Sequence, residues 1–147
     1  MTYLVNKYLP PTTLNVVAGG TPVGDITDLQ TILDGNEYDL PEIASTPGFD
    51  LELNFTNVRV IKGFIIRGYY SGSDTHTVNI KLYNYNSTTD DILFQFPTST
   101  QATYRTVLLP DYTNYVSDTN TAQITFYHEQ LGNTQHHLYL DYVALIV

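Results

Sequence analysis

The residues of this chain best suited to hold a metal or move a proton are four histidines, His76, His128, His136 and His137. Their spacing argues against zinc. No His-x-Glu-His or His-x3-His pair occurs, and His136 and His137, as neighbours in a strand, would point to opposite faces of it. There is no cysteine, so thiolate ligands, thiol nucleophiles and disulfides are excluded. His76 and one of His136 and His137 stand just before apolar runs. They are expected to hydrogen-bond loop backbone or each other. A nucleophile elbow is missing: Gly68–Gly72 reads Gly-Tyr-Tyr-Ser-Gly, with the serine one place too late. Gly19-Gly20 lacks a following lysine and forms no phosphate loop. Fifteen acidic residues could supply a catalytic carboxylate pair, but no spacing singles one out. The chain is expected to be non-enzymatic.

Tyrosine is the strongest compositional signal, with 13 residues and no tryptophan. A tyrosine ring offers a large apolar face with a polar tip, which suits binding surfaces. Tyr69, Tyr70 and Tyr83 or Tyr85 could form a platform for sugar rings. They could equally lie at protein contacts in an assembly, or fill the edge of a core with their hydroxyls reaching solvent.

The net charge of −9 over 147 residues excludes binding by phosphate neutralisation, so no nucleic-acid partner is expected. The longest apolar run, Val143–Val147, is far too short to span a bilayer. Met1–Pro10 has no basic segment leading into a long apolar run, so neither a signal peptide nor a membrane partner is expected.

Positioning these side chains falls to strands. Asp50–Thr56 alternates with Leu51, Leu53 and Phe55 on one face. Phe64–Tyr70 is almost continuously apolar. Thr77–Tyr85 alternates again, followed by Asp91–Phe96, Thr103–Leu109 and Ala122–His128. Leu138–Val147 is expected to place Leu138, Leu140, Tyr142, Ala144 and Ile146 on one side. Period two in segments rich in Val, Ile, Thr, Tyr and Phe is the strand signature. Turn signals separate the runs at Ala18–Gly24, Thr46–Gly48, Ser71–Asp74, Asn84–Asp91 and Gly132–Thr134. The best helical candidate, Asp25–Leu33, should make no more than a turn. The fold class is therefore all-β, a two-sheet antiparallel jelly-roll sandwich. Residues 1–24 form an N-terminal arm with a first strand and loop, and residues 25–147 form the single sandwich domain. Thr2–Val5 could pair as a strand before the stiff Leu9-Pro10-Pro11, letting the arm reach a neighbouring subunit or pack locally.

Leu33-Asp34-Gly35-Asn36, Pro47-Gly48, the Leu51–Phe55 strand, Phe64–Gly68 and the closing His137–Leu145 resemble galactose-binding-like (discoidin-like) jelly rolls. More narrowly, Gly68-Tyr69-Tyr70, His76-Thr77-Val78, Leu82–Tyr85, Gly132-Asn133 and the His-Leu-Tyr-Leu-Asp-Tyr-Val ending are similar to small tailed-bacteriophage virion proteins with this sandwich. The resemblance implies a structural calcium held by Asp34, Asn36 and Asp141, with Asp25 and Asp28 as nearby alternatives; otherwise Asp34-Gly35 is only a turn and Asp141 caps a loop or bonds tyrosine hydroxyls. It implies a virion protein, assembled in the host cytoplasm, that decorates or cements a capsid. Its partner would be the major capsid protein, and it would be a homo-oligomer, with a trimer the natural choice at a three-fold axis. The alternative is a carbohydrate-binding module for host attachment in a tail or fibre. Binding residues on these readings are Tyr69, Tyr70, Tyr83, Tyr85, His76 and His136, with a surface glycan as ligand in the alternative. One departure bears on it: Thr88-Thr89-Asp90-Asp91 stands where many relatives carry a tryptophan before the aspartate.

Overall fold

The computed structural model describes residues 7–96, 98–109 and 113–147. Ten strands are described: β1 (Tyr8–Leu9), β2 (Thr13–Ala18), β3 (Tyr38–Pro41), β4 (Phe49–Phe55), β5 (Gly63–Ser71), β6 (Val78–Asn84), β7 (Thr89–Phe96), β8 (Thr103–Leu108), β9 (Ala122–His128) and β10 (His137–Ile146). They form two antiparallel sheets. The first runs β1-β10-β5-β8, with β3 also paired to β10, and the second runs β2-β4-β9-β6-β7. The all-β jelly-roll class expected from the periodicity is the fold found.

The alternating side chains meet between the sheets. Phe49, Leu51, Leu53 and Phe55 of β4, Val78, Ile80 and Leu82 of β6, and Ile124 and Phe126 of β9 face Phe64 and Ile66 of β5 and Leu138, Leu140, Val143 and Leu145 of β10. All are fully buried. Period two thus fixes which residues enter the core and which stand on the outer faces.

The closing strand departs from simple alternation. Its pairing with β5 slips between Leu140 and Tyr142, so Asp141 is a bulge residue. The extra residue inverts the faces beyond it. Leu138 and Leu140 point inward as expected, but Val143 and Leu145 take over the core positions, and Tyr142 turns outward. The expected helix is a single 3-10 turn, Ile26–Leu29. Asp25 caps it by accepting from the Thr27 N–H at 2.8 Å, while Asp28 accepts from the Asp25 N–H at 2.8 Å. Buried Leu29 anchors the turn.

Segments β1, β2 and β3 carry no clear period-two signal. β1 and β3 have two and four residues, and β2 is an edge strand. Residues 8–18 are part of the sandwich: β1 pairs with β10, and β2 with β4. The expected strand at Thr2–Val5 lies outside the described residues.

Candidate functional site

Along β5, Arg67, Tyr69 and Ser71 alternate with buried Ile66 and Tyr70 and so stand on the outer face of the first sheet. Cross-strand register sets Tyr69 opposite Tyr139 of β10, and Tyr139 opposite Asp39 of β3. The Tyr69 and Tyr139 rings stack with centroids 4.7 Å apart. The His137 ring lies parallel to that of Tyr139 at 5.6 Å, and its Nδ1 is 2.6 Å from Asp39 Oδ1. Two residues before Tyr69, the Arg67 guanidinium lies 5.5 Å over the ring of Tyr104 on β8.

The bulge supplies the next component. Asp141 is 2% exposed and accepts from Arg67 Nη1 at 2.9 Å. The same carboxylate oxygen accepts from the Leu33 N–H at 3.2 Å, and Leu33 takes a left-handed φ of 56°. A left-handed leucine is costly and persists only where its surroundings hold it. Leu33, Gly35, Glu37, Arg67 and Asp141 line a depression of about 380 Å3. Burial, then the Asp141 charge, push the Glu37 carboxyl upward against the opposing pull of Arg67. The Tyr69 hydroxyl is also raised, by burial first and then by the Glu37 charge. The face therefore combines ring surfaces that can meet the C–H side of a sugar with carboxylates and a guanidinium that can bond hydroxyls.

A second cluster closes one end of the sandwich. The Tyr70 hydroxyl donates to Glu42 Oε1, and the Asn133 N–H donates to Glu42 Oε2 at 2.6 Å. His128 Nε2 is 3.2 Å from Oε1, and His136 Nδ1 is 3.5 Å from Oε2. His76 Nδ1 is 3.0 Å from His128 Nε2. Burial holds the His128 imidazole below the usual histidine range, with the Glu42 charge opposing. Burial and the bond to Glu42 push the Tyr70 hydroxyl far up, so it remains a donor. Gly72 is required here, because a Cβ would fall 2.0 Å from Tyr70 Cζ. At Gly48 a Cβ would fall 2.5 Å from His128 Nδ1.

The expected binding residues divide three ways. Tyr69 lies in the outer-face row. Tyr70 is fully buried and leaves the sugar platform; with His76 and His136 it belongs to the end cluster. Tyr83 and Tyr85 pack edge to face at 4.8 Å. Tyr83 is on the outer face of the second sheet, beyond buried Leu82, so no single platform unites it with Tyr69. Several of the expected calcium donors have protein partners. Asp141 has Arg67 as its cation, and Asp34 Oδ1 accepts from the Asn36 N–H at 2.9 Å in a turn. Asp25 and Asp28 cap the 3-10 turn. At Asp141 the guanidinium already supplies the positive charge that a calcium ion would bring.

The sequence did not single out Glu37, Asp39, Arg67, Tyr104 or Tyr139 on the outer face, and it named His137 only as a histidine that could bond a loop or another histidine. In the end cluster it missed Glu42; His128 was among the four histidines singled out, but without a place beside His76 and His136. The outer-face set left two usable signals: Arg67 and Tyr69 two apart in a strand, and Asp141, an acid in an otherwise apolar run.

No family model and no curated protein matches the sequence. Solved structures do match in fold. A mutant family 29 carbohydrate-binding module aligns at a TM-score of 0.60 with 10% identity, covering 97% of this chain and 87% of that one. The family 32 module of C. perfringens NanJ, in complex with galactose, aligns at 0.56 with 11% identity, covering 97% and 100%. A family 61 module, TmCBM61, in complex with beta-1,4-galactotriose aligns at 0.53 with 11% identity, covering 92% and 89%. With its two antiparallel sheets and this likeness over nearly its whole length, the chain has the galactose-binding-like jelly-roll fold of carbohydrate-binding modules.

Proposed function

We propose that this chain is a non-catalytic glycan-binding module and that the outer face of the first sheet holds the sugar. The observation that carries this reading is the Tyr69–Tyr139 stack beside the depression lined by Glu37, Arg67 and Asp141. The stacked rings together give an apolar surface that excludes water from one side of a pyranose, while the flanking charged groups select hydroxyl positions. The structural neighbours, whose bound ligands include galactose and beta-1,4-galactotriose, support the reading. They give no support to docking on a capsid shell, the main reading drawn from the virion resemblance.

Charge narrows the ligand. Glu37, Asp39 and Asp141 outnumber Arg67 in the face, and the chain carries a net charge of −9. Polyuronates and sulfated glycans would be repelled, so neutral galactose- or mannose-containing oligosaccharides are the ligands expected.

The test is retention on immobilised neutral and acidic glycans, followed by titration with the retained sugar. Tyr69→Ala and Tyr139→Ala should each weaken binding about tenfold or more, in line with losing a buried aromatic contact. Tyr83→Ala, on the opposite outer face, should leave it unchanged. Retention of acidic glycans alone, or loss of binding only in Tyr83→Ala, would refute the assignment.

A further inference from the structure

The end cluster does more than join two sheets. We propose that Glu42, His76, His128 and His136 form a binding site for a first-row divalent metal ion of the zinc class.

Ligand spacing is the first ground. Among the described residues, Glu42, His76 and His136 each present a ligand atom within 4.8 Å of the others. His128 Nε2 stands 3.2 Å from Glu42 Oε1 and 3.0 Å from His76 Nδ1, and His136 Nδ1 stands 3.5 Å from Glu42 Oε2. Bonds of about 2.0–2.1 Å to zinc place tetrahedral ligand atoms about 3.3 Å apart. Three of the separations, 3.0, 3.2 and 3.5 Å, match the edges of such a shell, and small side-chain shifts would bring Glu42, His76 and His136 the rest of the way from within 4.8 Å.

Orientation is the second ground. His128 Nδ1 faces the Gln130 carbonyl at 3.1 Å, and a carbonyl can only accept. With the Nδ1 proton on that carbonyl, the Nε2 lone pair faces the Glu42 carboxylate oxygen at 3.2 Å and His76 Nδ1 at 3.0 Å, so it is aimed at the space between the other ligand atoms, where a bound ion would replace the proton of a His76–His128 hydrogen bond. An imidazole fixed by a backbone carbonyl through its far nitrogen is the arrangement that orients metal-ligating histidines. Tyr70 and the Asn133 N–H hold the carboxylate in the same way. Imidazole and carboxylate donors without thiolates suit zinc and its first-row neighbours rather than calcium.

Access and placement agree. The Glu42 and His128 side chains are fully buried, whereas His136 keeps 19% exposure. His76 also lines a depression of about 380 Å3 with Asp74, Thr77 and Thr98, giving an ion a route from solvent. Glu42 follows β3 of the first sheet, and His128 ends β9 of the second. The ion would therefore tie the two sheets together at one end.

The experiment titrates the full chain, stripped of metal by a chelator, with Zn2+ and in parallel with Co2+. Saturable uptake of one ion per chain is expected, with the visible absorption of four-coordinate Co2+ and a Zn2+-dependent rise in the unfolding midpoint. His76→Gln and His136→Gln, at the half-buried rim, should each weaken binding tenfold or more. Glu129→Gln, next to His128 in sequence but outside the cluster, should not. No saturable uptake and no shift of the wild-type unfolding midpoint would overturn the proposal. So would binding that survives in both histidine variants. Loss of fold in those variants leaves the wild-type uptake and midpoint shift to decide it.

Discussion

Asp50 stands on the outer face of the second sheet, and its Oδ1 finds no hydrogen-bond partner among the described residues. Burial raises its carboxyl above the usual aspartate value; Glu52 and Asp90 add to the rise, and Lys81 opposes it. A raised native pKa means that the folded chain holds the proton more tightly than the unfolded one. Asp50 therefore costs stability once pH has risen past both values, and the cost fades as pH falls below the unfolded value of 3.8. Asp50→Asn should stabilise the protein at pH 7 by no more than about 1 kcal/mol, since solvent screens this half-buried group. The gain should shrink toward pH 4, as read by denaturant unfolding across pH. A variant less stable than wild type at pH 7 would show that the Asp50 carboxylate has a stabilising partner.

At the scale of elements, the bulge in β10 matters most for the candidate site. It turns Asp141 toward Arg67 and Leu33 while letting Val143 and Leu145 enter the core. Asp141→Ala should remove the pair, release Leu33 and reshape the depression. The expected loss is about 1–3 kcal/mol, below the figure for a fully dry ion pair because Arg67 keeps 20% exposure. Chemical denaturation checks the stability, and glycan titration should show weakened binding in the same variant. The central strands were legible in the sequence because each buries one face: β4, β6 and β9 follow their alternation. The bulge was not legible as such. A polar residue in an apolar run is equally consistent with a capped loop, and only cross-strand register decides. β1 and β3 are too short to show a period, and β2, at an edge, buries too little to force one.

Across the whole molecule, function-bearing residues come from segments distant in sequence. Glu37, Arg67, Tyr104, Tyr139 and Asp141 meet on one face because β3, β10, β5 and β8 are adjacent in one sheet. Tyrosine content pointed to a binding surface, yet Tyr69 and Tyr70, consecutive in β5, end on opposite sides of that sheet. Period two alone separates them, so joining Tyr69, Tyr70 and Tyr83 in one platform ignored the pleat. Which outer face carries a ligand depends on strand order, which local sequence does not encode. The histidines were visible, but Glu42 was not: it becomes a partner only when β3 comes to lie beside β10.

The glycan-binding reading is tested most directly by following the backbone amide resonances of the isotope-labelled chain during titration with a retained neutral oligosaccharide. Saturable shifts are expected, concentrated at Gly35, Glu37, Asp39, Arg67, Tyr69, Tyr104 and Tyr139. Shifts centred on Lys81, Tyr83 and Tyr127 across the sandwich, or no shifts with any neutral glycan, would contradict it.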